Sequence, residues 1–122
     1  MSLTINNPIS ETDLQVANND FPNKMTWDEA TSFCQILGNG WRLPSIEELE
    51  AMCYQLHWNG KGDFKDDWYW SSSETSIDYA WSLFLEADGG AYLSSDYITE
   101  GLDNYGSSKD IKFYVRAVRD LI

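Results

Sequence analysis

The sequence predicts an α+β fold in one domain, and three observations carry that expectation. Two capping-box signatures, Thr26-Trp27-Asp28-Glu29 and Ser45-Ile46-Glu47-Glu48, each open a stretch with apolar residues at helical spacing. Beyond Tyr54 the pattern changes to short aromatic runs of strand type, Trp68–Ser71 and Tyr79–Leu85. Asp88-Gly89-Gly90 then reads as a hairpin turn leading into Ala91–Leu93. Two consecutive helices followed by several strands give antiparallel α+β rather than an alternating βαβ order.

Taken in order, Met1–Thr12 is polar around a short apolar island at Leu3–Ile5 and is expected to be an extended or partly ordered arm. Leu14–Ala17 has the length of a short strand, and Asn18–Lys24 is rich in turn residues. In the first helix Trp27, Ala30, Cys34 and Leu37 mark one apolar face, and Gly38 and Gly40 end it. The second helix follows Pro44, with Ile46, Leu49, Cys53 and Leu56 facing inward. His57–Asp67 has loop chemistry, dense in Gly, Asp and Asn. Ser94–Lys109 is expected to be a long polar surface loop. Lys112–Arg119, with Phe113, Val115, Ala117 and Val118, is expected to be a largely buried closing strand.

At 122 residues the chain has the length of one domain, 1–122. Its 20 acidic and 8 basic side chains give a formal net charge of −12. Such a surface repels phosphate backbones and anionic lipid, which disfavours nucleic acid and membrane partners. No apolar run approaches membrane-spanning length, and no signal peptide is visible after Met1. Cys34 and Cys53 are too few for a disulfide framework and stand in no metal-type spacing. Both fall on apolar helical faces, where buried free thiols are favoured over a bridge between facing helices.

Four phrases, Trp27–Ala30, Trp41–Leu49, Tyr69–Glu74 and Val115–Arg119, resemble in order the motifs of the Lcl-type C-terminal domain family, named for a collagen-like bacterial adhesin. The resemblance spans about residues 14–120. It implies a C-type-lectin-like fold related to formylglycine-generating enzymes: two N-terminal helices packed on a twisted antiparallel sheet, with long irregular loops. It also implies structural roles for Trp27, Trp41, Arg42, Glu48, Trp70, Ser71, Glu74 and Arg116. Arg42 needs a carboxylate or carbonyl partner, with Glu48 and Glu74 as candidates. Many relatives carry a cysteine in the closing strand where this chain has Ala117, which removes the pairing that the resemblance would otherwise imply. A cell-surface or secreted location is what the resemblance favours.

No catalytic constellation is evident, so no enzyme is expected. The sole histidine, His57, follows the second helix, where the helix dipole favours an imidazolium. The paired late cysteines of formylglycine-generating relatives are missing, because no cysteine follows Cys53. The E-P-N, Q-P-D and W-N-D phrases of calcium-dependent lectins do not occur either. Carboxylate oxygens suit calcium, but the spacing of Asp63, Asp66 and Asp67, or of Asp96 and Asp103, fixes no shell of six to eight oxygens. No cofactor or metal is therefore expected. The loops mix aromatic with short polar residues, as recognition surfaces do. Trp58, Asp63, Asp66, Asp67, Tyr97, Asp103, Asn104 and Tyr105 are the candidate ligand-binding residues. The expectation is a non-catalytic module recognising a glycan or protein, or alternatively an assembly domain that forms homo-oligomers or caps a larger surface protein.

Overall fold

The computed structural model describes residues 3–93 and 106–121. Among these the elements run β1 (Leu3–Asn6), β2 (Asp13–Val16), α1 (Trp27–Ile36), α2 (Ile46–Gln55), β3 (Asp67–Glu74), β4 (Tyr79–Leu85), β5 (Ala91–Leu93), β6 (Ser107–Ser108) and β7 (Val118–Asp120), with a 3-10 turn at His57–Asn59 after α2. Two separate antiparallel sheets result: β1-β2-β7, and β3-β4-β5 with β6 also paired to the start of β4, opposite β3.

This arrangement corrects the expectation of two N-terminal helices packed on a single twisted sheet, the C-type-lectin-like layout. Strands precede the helices, the sheet is split in two, and β structure dominates. The expected arm contains β1. Its apolar island is too short to declare a strand alone, but Leu3 and Ile5 pair across from Val16 and Leu14, so β2 supplies both ladder and apolar partners. The long polar stretch contains β6, which pairs with Tyr79 and Ala80 of β4. Residues 94–105 of that stretch lie outside the described residues.

The closing segment is not one continuous strand. Phe113 bridges Met25, Tyr114 makes a parallel bridge to Tyr69, and only Val118–Asp120 forms β7 beside β2. A single stretch of chain therefore serves both sheets. β3 carries a register shift between Trp70 and Glu74, where the Ser72 amide leaves the ladder and donates to the Pro44 carbonyl at 2.7 Å. That bond ties β3 to the turn that opens α2.

Both helices begin with complete capping boxes: the Thr26 and Ser45 hydroxyls accept from the Glu29 and Glu48 amides, and those glutamates accept in return from the cap amides. α2 buries Leu49, Ala51, Met52 and Cys53 in a core shared with Leu14, Val16, Tyr69, Leu83, Leu85 and Val118. α1 buries little beyond Ala30 and Cys34, which meet Met25, Leu43, Trp70, Phe113 and Val115 in a second core. Leu37, expected on the buried face, is exposed: it is the C-cap, where the chain turns away from the core.

The two cysteines are buried and unpaired, one in each core. Burial pushes the Cys34 thiol up to about 12. Burial, helped by the Glu50 charge, pushes Cys53 up to about 11. Neither supplies a thiolate at neutral pH. Among the described residues no helix is long and apolar enough to cross a membrane.

Candidate functional site: an aromatic groove beside the closing segment

The turn-rich segment before α1 is strapped along the closing segment by backbone bonds. Phe21 donates to the Val115 carbonyl at 3.0 Å, and Met25 and Phe113 exchange bonds of 2.8 and 2.9 Å. Tyr114 is fixed from the opposite side, donating to Trp68 and accepting from Trp70, both at 3.1 Å. Between strap and closing segment lies an open groove of about 800 Å³ lined by Phe21–Met25, Glu29, Phe33, Lys112 and Tyr114. A recess of about 220 Å³ shares Phe21, Pro22 and Tyr114 and adds Asn19, Asp20, Asp63 and Lys65.

The groove is rigidly founded. Arg116 is buried, and its Nε donates to Asp20 at 2.7 Å. The other Asp20 oxygen accepts from the Tyr69 hydroxyl at 2.7 Å, and that hydroxyl in turn accepts from the Lys65 amide at 2.7 Å. Burial pushes the Tyr69 phenol far above its ordinary range, so it remains a donor. The guanidinium of Arg116 also lies over the Phe64 ring, 4.2 Å from its centroid, and donates to the Ala17 and Asp63 carbonyls. Three loops distant in sequence are thus pinned on one buried ion pair.

At the mouth, Lys24 pairs with Asp67 at 2.8 Å and stands 5.1 Å from the centre of the Tyr114 ring. The Asp67 hydrogen bond holds its ammonium above the usual lysine range. Phe21 and Phe33 form a tilted pair with centroids 6.4 Å apart. The chemistry on offer is ring faces and edges, lysine ammonium groups and short polar side chains, suited to holding a ligand.

The candidate residues from the sequence separate. Asp63 lines the recess and Asp67 anchors Lys24, so both reach this region. Asp66 points elsewhere, accepting from the Ala87 amide at 3.2 Å. Trp58 is 63% exposed on the 3-10 turn and lines neither the groove nor the recess. Tyr97, Asp103, Asn104 and Tyr105 lie outside the described residues. Among the described residues no three His, Cys, Asp or Glu side chains converge to hold a metal ion.

Of the residues given structural roles, Trp27 donates through its indole to the Ser71 carbonyl and Trp70 to that of Met25, each at 2.9 Å. The Ser71 hydroxyl donates to the Trp81 carbonyl and accepts from the Ser73 amide. Arg42 takes Glu48 and Asp120, while Glu74 takes Lys109. Trp41 packs under Arg119 at 4.8 Å. His57 bonds the Glu86 carbonyl through Nε2.

The groove residues Phe21, Lys24, Phe33, Lys112 and Tyr114 were not singled out by sequence reasoning. The signal was present in the Phe-Pro turn at Phe21-Pro22 and in an aromatic at Phe33 off the predicted apolar face.

Residues 10–119 match the Lcl C-terminal domain, and the chain belongs to that family. No match to a curated protein accompanies this one.

Proposed function

We propose that this chain is a non-catalytic recognition domain that holds a glycan or polypeptide ligand in the Phe21–Phe33–Tyr114 groove, at a bacterial cell surface. The observation that carries the reading is the groove itself: three aromatic side chains and two lysines line an open volume of about 800 Å³ beside a buried ion pair. That size and mixture match small-ligand and peptide sites in general, and preorganised walls reduce the ordering cost of binding. Raised thiol pKa values and burial argue against a nucleophilic role for either cysteine. The test is a thermal-shift and NMR screen of the whole chain against neutral and acidic oligosaccharides and short peptides. The expected result is a raised melting midpoint, with shifts centred on Phe33 and Tyr114 and lost in Tyr114→Ala. A blank screen, or binding that Tyr114→Ala leaves intact, overturns the reading.

A second reading, assembly, is favoured by one observation. Ile36 is 75% exposed at the end of α1, with Phe33 and Leu37 also exposed. An apolar cluster of this kind is a common association face. Light scattering that gives a monomer at high concentration removes it.

A further inference from the structure

A separate pocket of about 160 Å³ opens between α2 and the β4–β5 pair, lined by Glu50, Cys53, Tyr54, Leu83, Ala91 and Leu93. It shares no residue with the groove. Glu50 and Tyr54 stand one turn apart on α2, and Leu83 and Leu93 are partners across the ladder. The pocket is thus lined by one carboxylate, one aromatic ring, a thiol and the aliphatic side chains of Leu83, Ala91 and Leu93.

Among the described residues no ion pair reaches that carboxylate. Burial, reinforced by the neighbouring Glu47, pushes the Glu50 carboxyl above its usual range. The ion pairs there engage Lys24, Arg42, Lys109 and Arg116 with other acids. Residues 94–105 contain no lysine or arginine that could serve.

The surroundings add negative potential. Glu86 and Asp88 oxygens lie within 3.6 and 3.2 Å of the point where a Cβ on Gly90 would stand, next to the pocket residue Ala91. The last turn of α2 carries no basic residue to offset its carbonyl end.

We propose that this pocket receives a lysine side chain presented by a partner polypeptide, its ammonium against Glu50 and its methylene stem along Leu83, Leu93 and the Tyr54 ring. A compact ammonium on a flexible stem suits a narrow pocket with one carboxylate, whereas the planar arginine fork needs paired in-plane acceptors and more width.

The experiment titrates the whole chain with three blocked tripeptides, Gly-Xaa-Gly with lysine, norleucine or arginine at the centre, followed by amide and methyl NMR. The expected result is saturable shifts at Glu50, Tyr54, Leu83 and Leu93 with the lysine peptide alone. Glu50→Gln weakens that binding by about tenfold or more, the worth of one charge-assisted hydrogen bond. Glu47→Gln, an exposed neighbour, leaves it within about twofold. Because Gln is isosteric and removes a charge that no ion pair among the described residues meets, the variant is expected to melt no lower than wild type, which separates lost binding from lost fold. The proposal is overturned by equal norleucine binding, tighter arginine binding, shifts spread evenly over the acidic surface, unchanged affinity in Glu50→Gln, or no saturable shift at the pocket.

Discussion

Arg42 grips Glu48 through two parallel hydrogen bonds of 2.7 and 2.9 Å, although only six residues separate them. Glu48 is 3% exposed and simultaneously closes the α2 capping box and accepts from Asn7 at 2.6 Å. A third Arg42 contact reaches Asp120 in β7 at 3.1 Å. The phrase Trp41–Leu49 is therefore a clamp: its arginine and glutamate hold the first hairpin, α2 and the final strand together.

Removing the arginine is expected to leave Glu48 charged and unpaired inside the protein. Arg42→Ala should cost on the order of 3 kcal/mol in urea unfolding, since breaking a buried pair is worse than never having one. Arg42→Lys should recover only part of it, because an ammonium cannot reproduce the bidentate fork. A loss in Arg42→Ala no larger than that of an ordinary surface substitution would refute the clamp.

Acid should weaken the same joint. Burial pushes the Glu48 carboxyl up, but the Arg42, Ser45 and Asn7 bonds together outweigh it and leave the group below its usual range. A carboxyl depressed in the folded state stabilises fully above its unfolded pKa of about 4.3 and loses that contribution as pH falls through the folded value. The melting midpoint of wild type should accordingly drop below about pH 4 more steeply than that of Glu48→Gln. Parallel curves would show that Glu48 does not carry the acid transition.

The ion pair beneath the groove sets a third expectation. Asp20 and Arg116 are separated by 96 positions and almost fully shielded from water. Asp20→Ala strands both the guanidinium and the Tyr69 hydroxyl, and should destabilise by roughly 3–5 kcal/mol. Hydrogen exchange should accelerate at the Phe21 and Met25 amides, which hold the strap. Unchanged protection there would mean that the strap stands without its foundation.

Cys34 and Cys53 should be silent toward a thiol reagent in the folded protein at pH 8. With thiols raised to about 12 and about 11 and both side chains buried, labelling should follow unfolding and accelerate with denaturant. Rapid labelling of either thiol without denaturant would contradict their burial.

Local signals were legible in the sequence. Thr26 with Glu29 and Ser45 with Glu48 announce the helix starts because a capping box is complete within four residues. Asp88-Gly89-Gly90 marks its turn for the same reason, and β4 and β5 pair on either side of it. The split into two sheets was not legible, because it depends on where Val118 and Tyr114 find partners: residues 16 and 69, distant in sequence. Strand pairing over such distances leaves no local trace. The groove was hidden for a related reason. Phe21, Phe33 and Tyr114 come from a turn, the outer face of a helix and a segment read as buried strand, and only the Asp20–Arg116 link assembles their surroundings.

The closing segment, serving both sheets at once, also governs when the domain can form. Phe113, Tyr114, Arg116 and Val118 supply partners to Met25, Tyr69, Asp20 and Val16. As the chain emerges from the ribosome, α1, α2 and the β3–β4 hairpin can assemble early, but β2 and the strap before α1 wait for the closing segment to lock them. Loop-closure entropy must be met before those long-range contacts reward it, which makes folding late and comparatively slow. Any fragment that stops short of Tyr114 would carry α1 and α2 and yet lack the piece that joins one sheet to the other.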